Sequence, residues 1–403
     1  MSRRNFLKQA GLTTGGLLLQ HSVLKAVTPM FAADKINIAV IGCGDRGNGL
    51  IHVLHELPDL YRVKAICDVL DFRLEKAKKL APEATPYKDY RKLLEQKGID
   101  AVIISVPLNG HFQISKDALQ AGKHIYLEKT MTYNRQEAIE LVNLMRNKPK
   151  QILQVGHQYR YTPLYYKVKE MIGSGYLGQV TNIDCRWDRN GTWRRPVHDP
   201  ALERQINWRM YKEYSGGLPA ELLSHQIDFV NWAFDTHVDE VQGTGGIDFY
   251  KDGRETCDNV QSILRFNKAG MIGSFGATCA NRHDGYLFKF RGSKGTVSLL
   301  MDEGIYYPEE ETRKAMQETV DGVTGATKIT WNKDGGTPIM TGPLRDGSWY
   351  AMKDFHQSVS TLQLPSSNVY TGARTAITVD MINTSINNKS LELWKPAYDL
   401  VAP

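Results

Sequence analysis

No two cysteines in this 403-residue chain are spaced as C-x-x-C. The five present, Cys43, Cys67, Cys185, Cys257 and Cys279, are odd in number and widely separated. Structural zinc sites need closely spaced ligands, so this spacing supports no metal. A chain of this length can build its own cores and has no need of a disulfide framework. The cysteines read as small buried hydrophobes. No later segment offers the roughly 18 uninterrupted apolar residues of a membrane span. No Lys/Arg run resembles a nucleic-acid tail, and part of the net charge of +6 lies in the first residues. Low-complexity tracts and internal repeats are missing as well. What remains is an ordinary globular composition, 41% apolar and 23% charged. Its length suggests two domains.

The chain begins SRRNFLK, with Arg3 and Arg4 ahead of Phe6, Leu7 and Lys8. A mild apolar stretch over 10–19 follows, softened by Gly11, Gly15 and Gly16. This resembles a twin-arginine export signal. It implies a leader over 1–33 and a periplasmic or otherwise exported protein.

From Lys35 the pattern changes. KINIAVI reads as a strand and runs into GCGDRG, with glycines at 42, 44 and 47. LIHVLHEL reads as a helix, and YRVKAIC as a second strand ending at Asp68. Strand, G-x-G-x-x-G, helix, strand and acid in this order form a dinucleotide-binding arrangement. Gly42 makes the tight turn, Gly44 admits a pyrophosphate and Gly47 lets helix and strand approach. Asp45 and Arg46 lie in the same loop, where the free N–H groups of the helix start favour an anion. Asp68, about 20 residues beyond the last glycine, is placed for a ribose 2′-hydroxyl and favours NAD over NADP. The alternation continues through AVIISVP, HIYLEK and QILQVG, which predicts a doubly wound parallel sheet over 34–158. Ligands bind such sheets at the carboxyl ends of the strands. Those ends carry Val106, Pro107, Glu128, Lys129 and His157.

Beyond Tyr159 the strict alternation stops. VTNIDCRWDRN, VDEVQGTGGIDFY, NVQSILRFN, MIGSFGATCA, GYLFKFRG and GTVSLL are strand-like, and GGLPAELLSHQIDFVNWAF is helical. This predicts an α+β domain over 159–403 with a large, mostly antiparallel sheet. Two further helical stretches, 351–362 and 372–387, are placed to return to the first domain.

GCGDRG, Asp68, GKHIYLEKTMT and GGLPAELLSHQIDFVNW together resemble the glucose–fructose oxidoreductase / inositol dehydrogenase family, Gfo/Idh/MocA. The resemblance implies a Rossmann domain, an open-sheet second domain that supports a homo-oligomer, and a nicotinamide cofactor between the two. It implies hydride transfer to or from a hydroxyl carbon of a sugar or cyclitol. The lysine of the family's E-K-P motif falls on Lys129, with Thr130 in place of proline. The histidine of its downstream helix falls on His225, with Glu221 where aspartate is usual.

Oxidising an alcohol requires a group that takes the hydroxyl proton. Lys129, at a strand end, has its pKa lowered by desolvation. His225 titrates near neutrality. Glu221, four residues earlier on the same helix face, is placed to orient the imidazole or to bond a sugar hydroxyl. His157, Tyr159, Arg160, Trp208 and Arg209 are candidate substrate contacts. A redox-neutral glycoside-cleaving enzyme on the same fold is the alternative reading, since an exported enzyme meets no pool of soluble NAD.

Overall fold

The structure is a computed structural model and describes residues 35–283, 285–320 and 331–402. The arginine pair and the leader lie outside the described residues.

The first sheet has six parallel strands: β1 (Ile36–Ile41), β2 (Tyr61–Cys67), β3 (Thr85–Tyr87), β4 (Ala101–Ile104), β5 (His124–Leu127) and β6 (Leu153–Val155). Their order is β3-β2-β1-β4-β5-β6. Helices α1 (Asp45–His55), α2 (Asp71–Leu80), α3 (Tyr90–Leu94), α4 (His111–Gln120) and α5 (Arg135–Arg146) connect them. Successive strand residues serve opposite faces. Ile38, Val40, Ala101 and Ile103 join one buried cluster, while Ala39, Ile41, Val102 and Ile104 join the other. Both faces are covered, which is why these strands read as continuous apolar runs. The chain reverses its direction of travel between β1 and β4, the switch point beyond whose strand ends sheets of this kind bind ligands.

A further helix, α6 (Pro163–Gly173), leads into the second half. There β7 (Val180–Trp187), β8 (Glu240–Gly246), β9 (Asn259–Phe266), β10 (Met271–Thr278), β11 (Tyr286–Gly292), β12 (Gly295–Leu299), β13 (Gly304–Pro308), β14 (Thr337–Pro338) and β15 (Glu392–Leu393) form one sheet. Its order is β14-β13-β12-β11-β7-β10-β9-β8-β15. All pairs are antiparallel except β7 with β10. Burial alternates along β9, with Val260, Ser262, Leu264 and Phe266 inward. Helix α7 (Ser224–Ala233) lies on that inner face, with the Phe229 ring 5.5 Å from Phe288 and 5.7 Å from Phe290.

After α8 (Glu310–Val320) come α9 (Gly347–Thr361) and α10 (Val369–Asn388). Helix α9 packs on the first sheet, where Ala351, Met352 and Phe355 share a cluster with Ile38, Val40, Ile103 and Tyr126. Tyr61 Oη donates to Met352 O at 2.6 Å, and Gln154 Nε2 donates to Ala351 O at 2.8 Å. Helix α10 lies against α5, α7 and β8. No helix among the described residues is long and apolar enough to cross a membrane.

Candidate active site

The glycine turn has the geometry a dinucleotide needs. Gly42 has φ +94°, and a Cβ there would meet Ser105 O at 2.5 Å, so only glycine fits between β1 and β4. A Cβ on Gly47 would stand 1.9 Å from Gly42 O, so the start of α1 packs directly on the turn. A Cβ on Gly44 would meet nothing within 4 Å, leaving open space in front of the helix N-terminus. Asp68 is buried at the end of β2. Its carboxylate accepts from Cys43 N at 2.8 Å and from Leu70 N at 2.9 Å. The acid therefore also fixes the turn. These residues fit a dinucleotide whose pyrophosphate rests on the start of α1.

Two loop residues are engaged elsewhere. Arg46 donates from Nε to Glu128 Oε1 at 2.7 Å and from Nη1 to Ser348 Oγ at 3.0 Å. The Arg46–Glu128 pair thus ties the glycine turn to the end of β5 and to α9. Both side chains are thus bonded within the protein. Asp45 pairs with Arg195 at 2.6 Å, an exposed contact from the loop after β7. Val106 and Pro107 follow β4 at the switch point. Val106 O lies 3.1 Å from His111 Nε2, whose Nδ1 lies 2.9 Å from Thr130 O. His111 is buried and braces the two strand ends together. Sequence reasoning missed it.

Lys129 follows β5, and the Lys129–Thr130 peptide is cis. Opposite it the expected regular helix has a π-turn, Pro219–Leu223, ahead of α7. In this turn Ser224 N–H donates to Pro219 O, five residues back. That register leaves the next carbonyls to other donors. Thr130 Oγ1 and Ser224 Oγ take Ala220 O at 3.0 and 2.8 Å, and Lys129 Nζ takes Glu221 O at 2.7 Å. The lysine from one sheet is therefore seated on the helix start of the other domain. Burial pushes its pKa below the ordinary lysine value, against the pull of Glu221 and Glu128.

The Glu221 carboxylate does not orient His225. It accepts from Arg209 Nε at 2.7 Å, and the Arg209 guanidinium stacks 4.3 Å from the Trp208 ring centre. Burial alone would raise the Glu221 pKa, but Arg209 and Lys129 together hold it below the usual range. His225 is buried, 5% exposed. Its ring stands 4.9 Å from Tyr159, 5.8 Å from Trp187 and 6.1 Å from His157. Burial, then the charge of Lys129, push its pKa well below the ordinary value, so the imidazole is neutral at neutral pH.

Lys129, Glu221 and His225 are thus neighbours beyond the carboxyl end of β5: Lys129 Nζ bonds Glu221 O, and its charge acts on both Glu221 and His225. Tyr159 and Trp187 flank His225 with aromatic surface. His157 and Arg160 stand behind it. His157 has no exposed surface, and Arg160 makes a two-pronged pair with Asp228 at 2.7 and 2.8 Å. Both are buried, and the Arg160 guanidinium is taken up by Asp228. Arg194, in the same loop as Arg195, is bound to Asp252 at 3.0 Å and to Glu203. A neutral imidazole beside a desolvated lysine can accept the proton of an alcohol.

Comparison with known proteins gives a consistent result. Residues 36–157 match the family model described as an oxidoreductase family with an NAD-binding Rossmann fold, and residues 165–298 match the Gfo/Idh/MocA C-terminal domain. An uncharacterized oxidoreductase of Synechocystis sp. is 34% identical over 208 residues, 51% of this chain and 53% of that protein. An inositol 2-dehydrogenase/D-chiro-inositol 3-dehydrogenase of Lactiplantibacillus plantarum is 25% identical over 205 residues, 50% of this chain and 53% of that protein. The chain spans about half the length of these curated relatives. A levoglucosan dehydrogenase solved with NADH superposes with a TM-score of 0.73 at 19% identity, covering 89% of this chain and 99% of the other. A myo-inositol 2-dehydrogenase from Lactobacillus plantarum gives 0.69 at 18% identity, covering 90% and 100%. At that identity the likeness is one of fold.

Proposed function

Because this chain belongs to the Gfo/Idh/MocA family of oxidoreductases, with that family's NAD-binding domain, we propose that it is an NAD-dependent dehydrogenase acting on a hydroxyl carbon of a sugar, sugar derivative or cyclitol. The observation that carries the reading is the seat of Lys129 on Glu221 O, with a neutral His225 beside it. The cofactor, when bound, supplies the hydride chemistry. The chain supplies the rest. The turn Gly42–Gly47 and the start of α1 hold the pyrophosphate, and Asp68 faces the ribose. His225, or Lys129 in its unprotonated form, takes the hydroxyl proton. Glu221, held ionised by Arg209, stands ready to accept a hydrogen bond from a neighbouring hydroxyl. Trp187 gives a sugar ring an apolar face to lie on. Inositol and levoglucosan dehydrogenases among the relatives and structural neighbours agree with a polyhydroxylated substrate.

The outer face of the second sheet exposes Ile263 (51%) and Ile272 (41%), and we assign a homo-oligomer contact to it. The Arg3–Arg4 leader supports export of the folded, cofactor-loaded protein. The same leader favours a second reading, a redox-neutral cycle in which the hydride taken from the sugar is returned and a glycosidic bond is cleaved.

One experiment tests both readings. The purified protein is denatured to identify any retained nucleotide. The intact protein is then followed by the absorbance of reduced nicotinamide while cyclitols, sugars, anhydrosugars and glycosides are added. Accumulating reduced cofactor supports net oxidation. Sugar release without accumulation supports the redox-neutral cycle. No nucleotide affinity and no response to any of these compounds would reject both.

A further inference from the structure

Behind His225 lies a buried polar chain that the proposed chemistry leaves unused: Arg160, Asp228 and His157, with exposures of 4%, 0% and 0%. Arg160 bonds both Asp228 oxygens, and Thr375 Oγ1 donates to Oδ1 at 3.3 Å. Burial alone would raise the Asp228 pKa, but Arg160 and then His157 hold it below its usual value, so the carboxylate stays ionised. His157 Nδ1 stands 3.4 Å from Asp228 Oδ1. A fixed anion on that side keeps the imidazole proton on Nδ1 and leaves Nε2 as an acceptor. Beyond it stands His225, three residues before Asp228, its ring edge-on to that of His157 at 85° and 6.1 Å. His157 Nδ1, His157 Nε2 and His225 Nδ1 are all buried without a hydrogen-bond partner, so Asp228 acts on His157 through its charge. Adjacent buried polar atoms of this kind call for an explanation. The edge-on contact sets one ring against the other.

We infer that His157 is a positioning residue for His225. The Arg160–Asp228 pair sets the tautomer of His157, and His157, packed edge-on, fixes the orientation of the His225 ring. The charged groups around this pair of rings are few. His157 feels Asp228, Arg160, Lys129 and Glu128, and His225 feels Lys129, His157 and Arg46. The inference rests on the reading that His225 takes part in proton transfer.

The test uses the full-length protein and four variants: His157→Gln, His157→Asn, His157→Leu and His225→Asn. Nucleotide affinity, KM, kcat and the pH dependence of kcat are measured for each. Nucleotide affinity should stay within about twofold in the His157 series, since neither the glycine turn nor Asp68 is touched. Loss of the partner for His225 should lower kcat on the order of tenfold or more in His157→Leu and His157→Asn and displace the pH profile, with KM little changed. The Gln amide reaches the Nε2 position and should restore part of the rate. The Asn amide keeps only the side facing Asp228 and should not. A structural role alone predicts the reverse: Asn best, losses that follow melting temperature, and an unmoved pH profile. That pattern, or a normal kcat in all three His157 variants, overturns the inference. Full activity in His225→Asn would instead overturn the reading of His225 itself.

Discussion

Replacing Lys129 with Met removes one ammonium and keeps the side chain nearly the same size. In the folded protein that ammonium gives up most of its hydration. In return it has a single hydrogen bond, 2.7 Å to Glu221 O, and the attraction of the Glu221 and Glu128 carboxylates. Burial outweighs that attraction, so the folded pKa lies below 10.5. The unfolded chain then binds the proton more tightly between the two values. Wild-type stability therefore rises with pH across a window that closes near about 10.5. Lys129→Met should lose this part of the slope. At neutral pH it should be about as stable as wild type, because the lost hydrogen bond, about 1 kcal/mol net, is offset by the relief of a buried charge. Activity should move far more. A positioned acid or base contributes about 10² to 10⁴ in rate. At about 1.36 kcal/mol per factor of ten, that is about 2.7–5.4 kcal/mol of barrier. The assay is turnover on the polyol found to reduce the cofactor, with nucleotide affinity by fluorescence titration and urea unfolding at neutral and alkaline pH. Normal nucleotide affinity with a collapse of kcat is the expected pair of results. A turnover within about threefold of wild type would refute the reasoning and leave the proton to His225.

Other perturbations probe the supporting geometry. In Gly47→Ala the new Cβ starts 1.9 Å from Gly42 O, so α1 must shift; titration should show nucleotide binding lost or severely weakened, and an unchanged affinity would contradict the packing described. Asp68→Ala removes the acceptor of two backbone N–H groups and the proposed ribose contact, so NAD binding should weaken by about 1.5–3 kcal/mol and the preference over NADP should relax. Equal affinity of the unmodified protein for NAD and NADP would show that Asp68 sets no preference. Burial pushes His157 down to about 4, so the folded protein resists a proton that the unfolded chain accepts. Stability should therefore fall as pH drops from about 6.5 towards 4, with His157 contributing about 3 kcal/mol at roughly 1.36 kcal/mol per unit. His157→Gln should lose that share of the slope in urea unfolding at pH 7 and 4.5, and an identical slope would disprove it.

The parts of this molecule that were legible in the sequence are those with a local cause. Gly42, Gly44, Gly47 and Asp68 each answer a requirement set within a few residues, and the two-sided burial of β1 and β4 shows in their composition. Lys129 and His225 could be placed because a strand end and a helix face locate them. The π-turn at Pro219–Leu223 was hidden because one extra residue per turn, over five residues, leaves an apolar pattern that a regular helix also fits. The partners of Arg46 were hidden for another reason. Its position in the loop suggests a phosphate, but its partners Glu128 and Ser348 lie 82 and 302 residues away, and no periodicity connects them. The start of α6 did carry a signal, Pro163 at the first turn, that the reading passed over.

Helix α9 has a consequence for the order in which the protein can be made. As the chain leaves the ribosome, all six strands of the first sheet have appeared long before residue 347. Until Ala351, Met352 and Phe355 arrive, Ile38, Val40, Ile103 and Tyr126 lack part of their cover, and the Tyr61 hydroxyl lacks its acceptor. A nascent half-domain in that condition is a substrate for chaperones and prone to aggregation. Closing it from so far along the chain also slows the search for the native state. A fragment ending at residue 158 should accordingly be insoluble or molten. Arg46, in the same glycine turn, has its Glu128 partner within the first sheet but gains its second anchor only once Ser348 has been synthesised and docked.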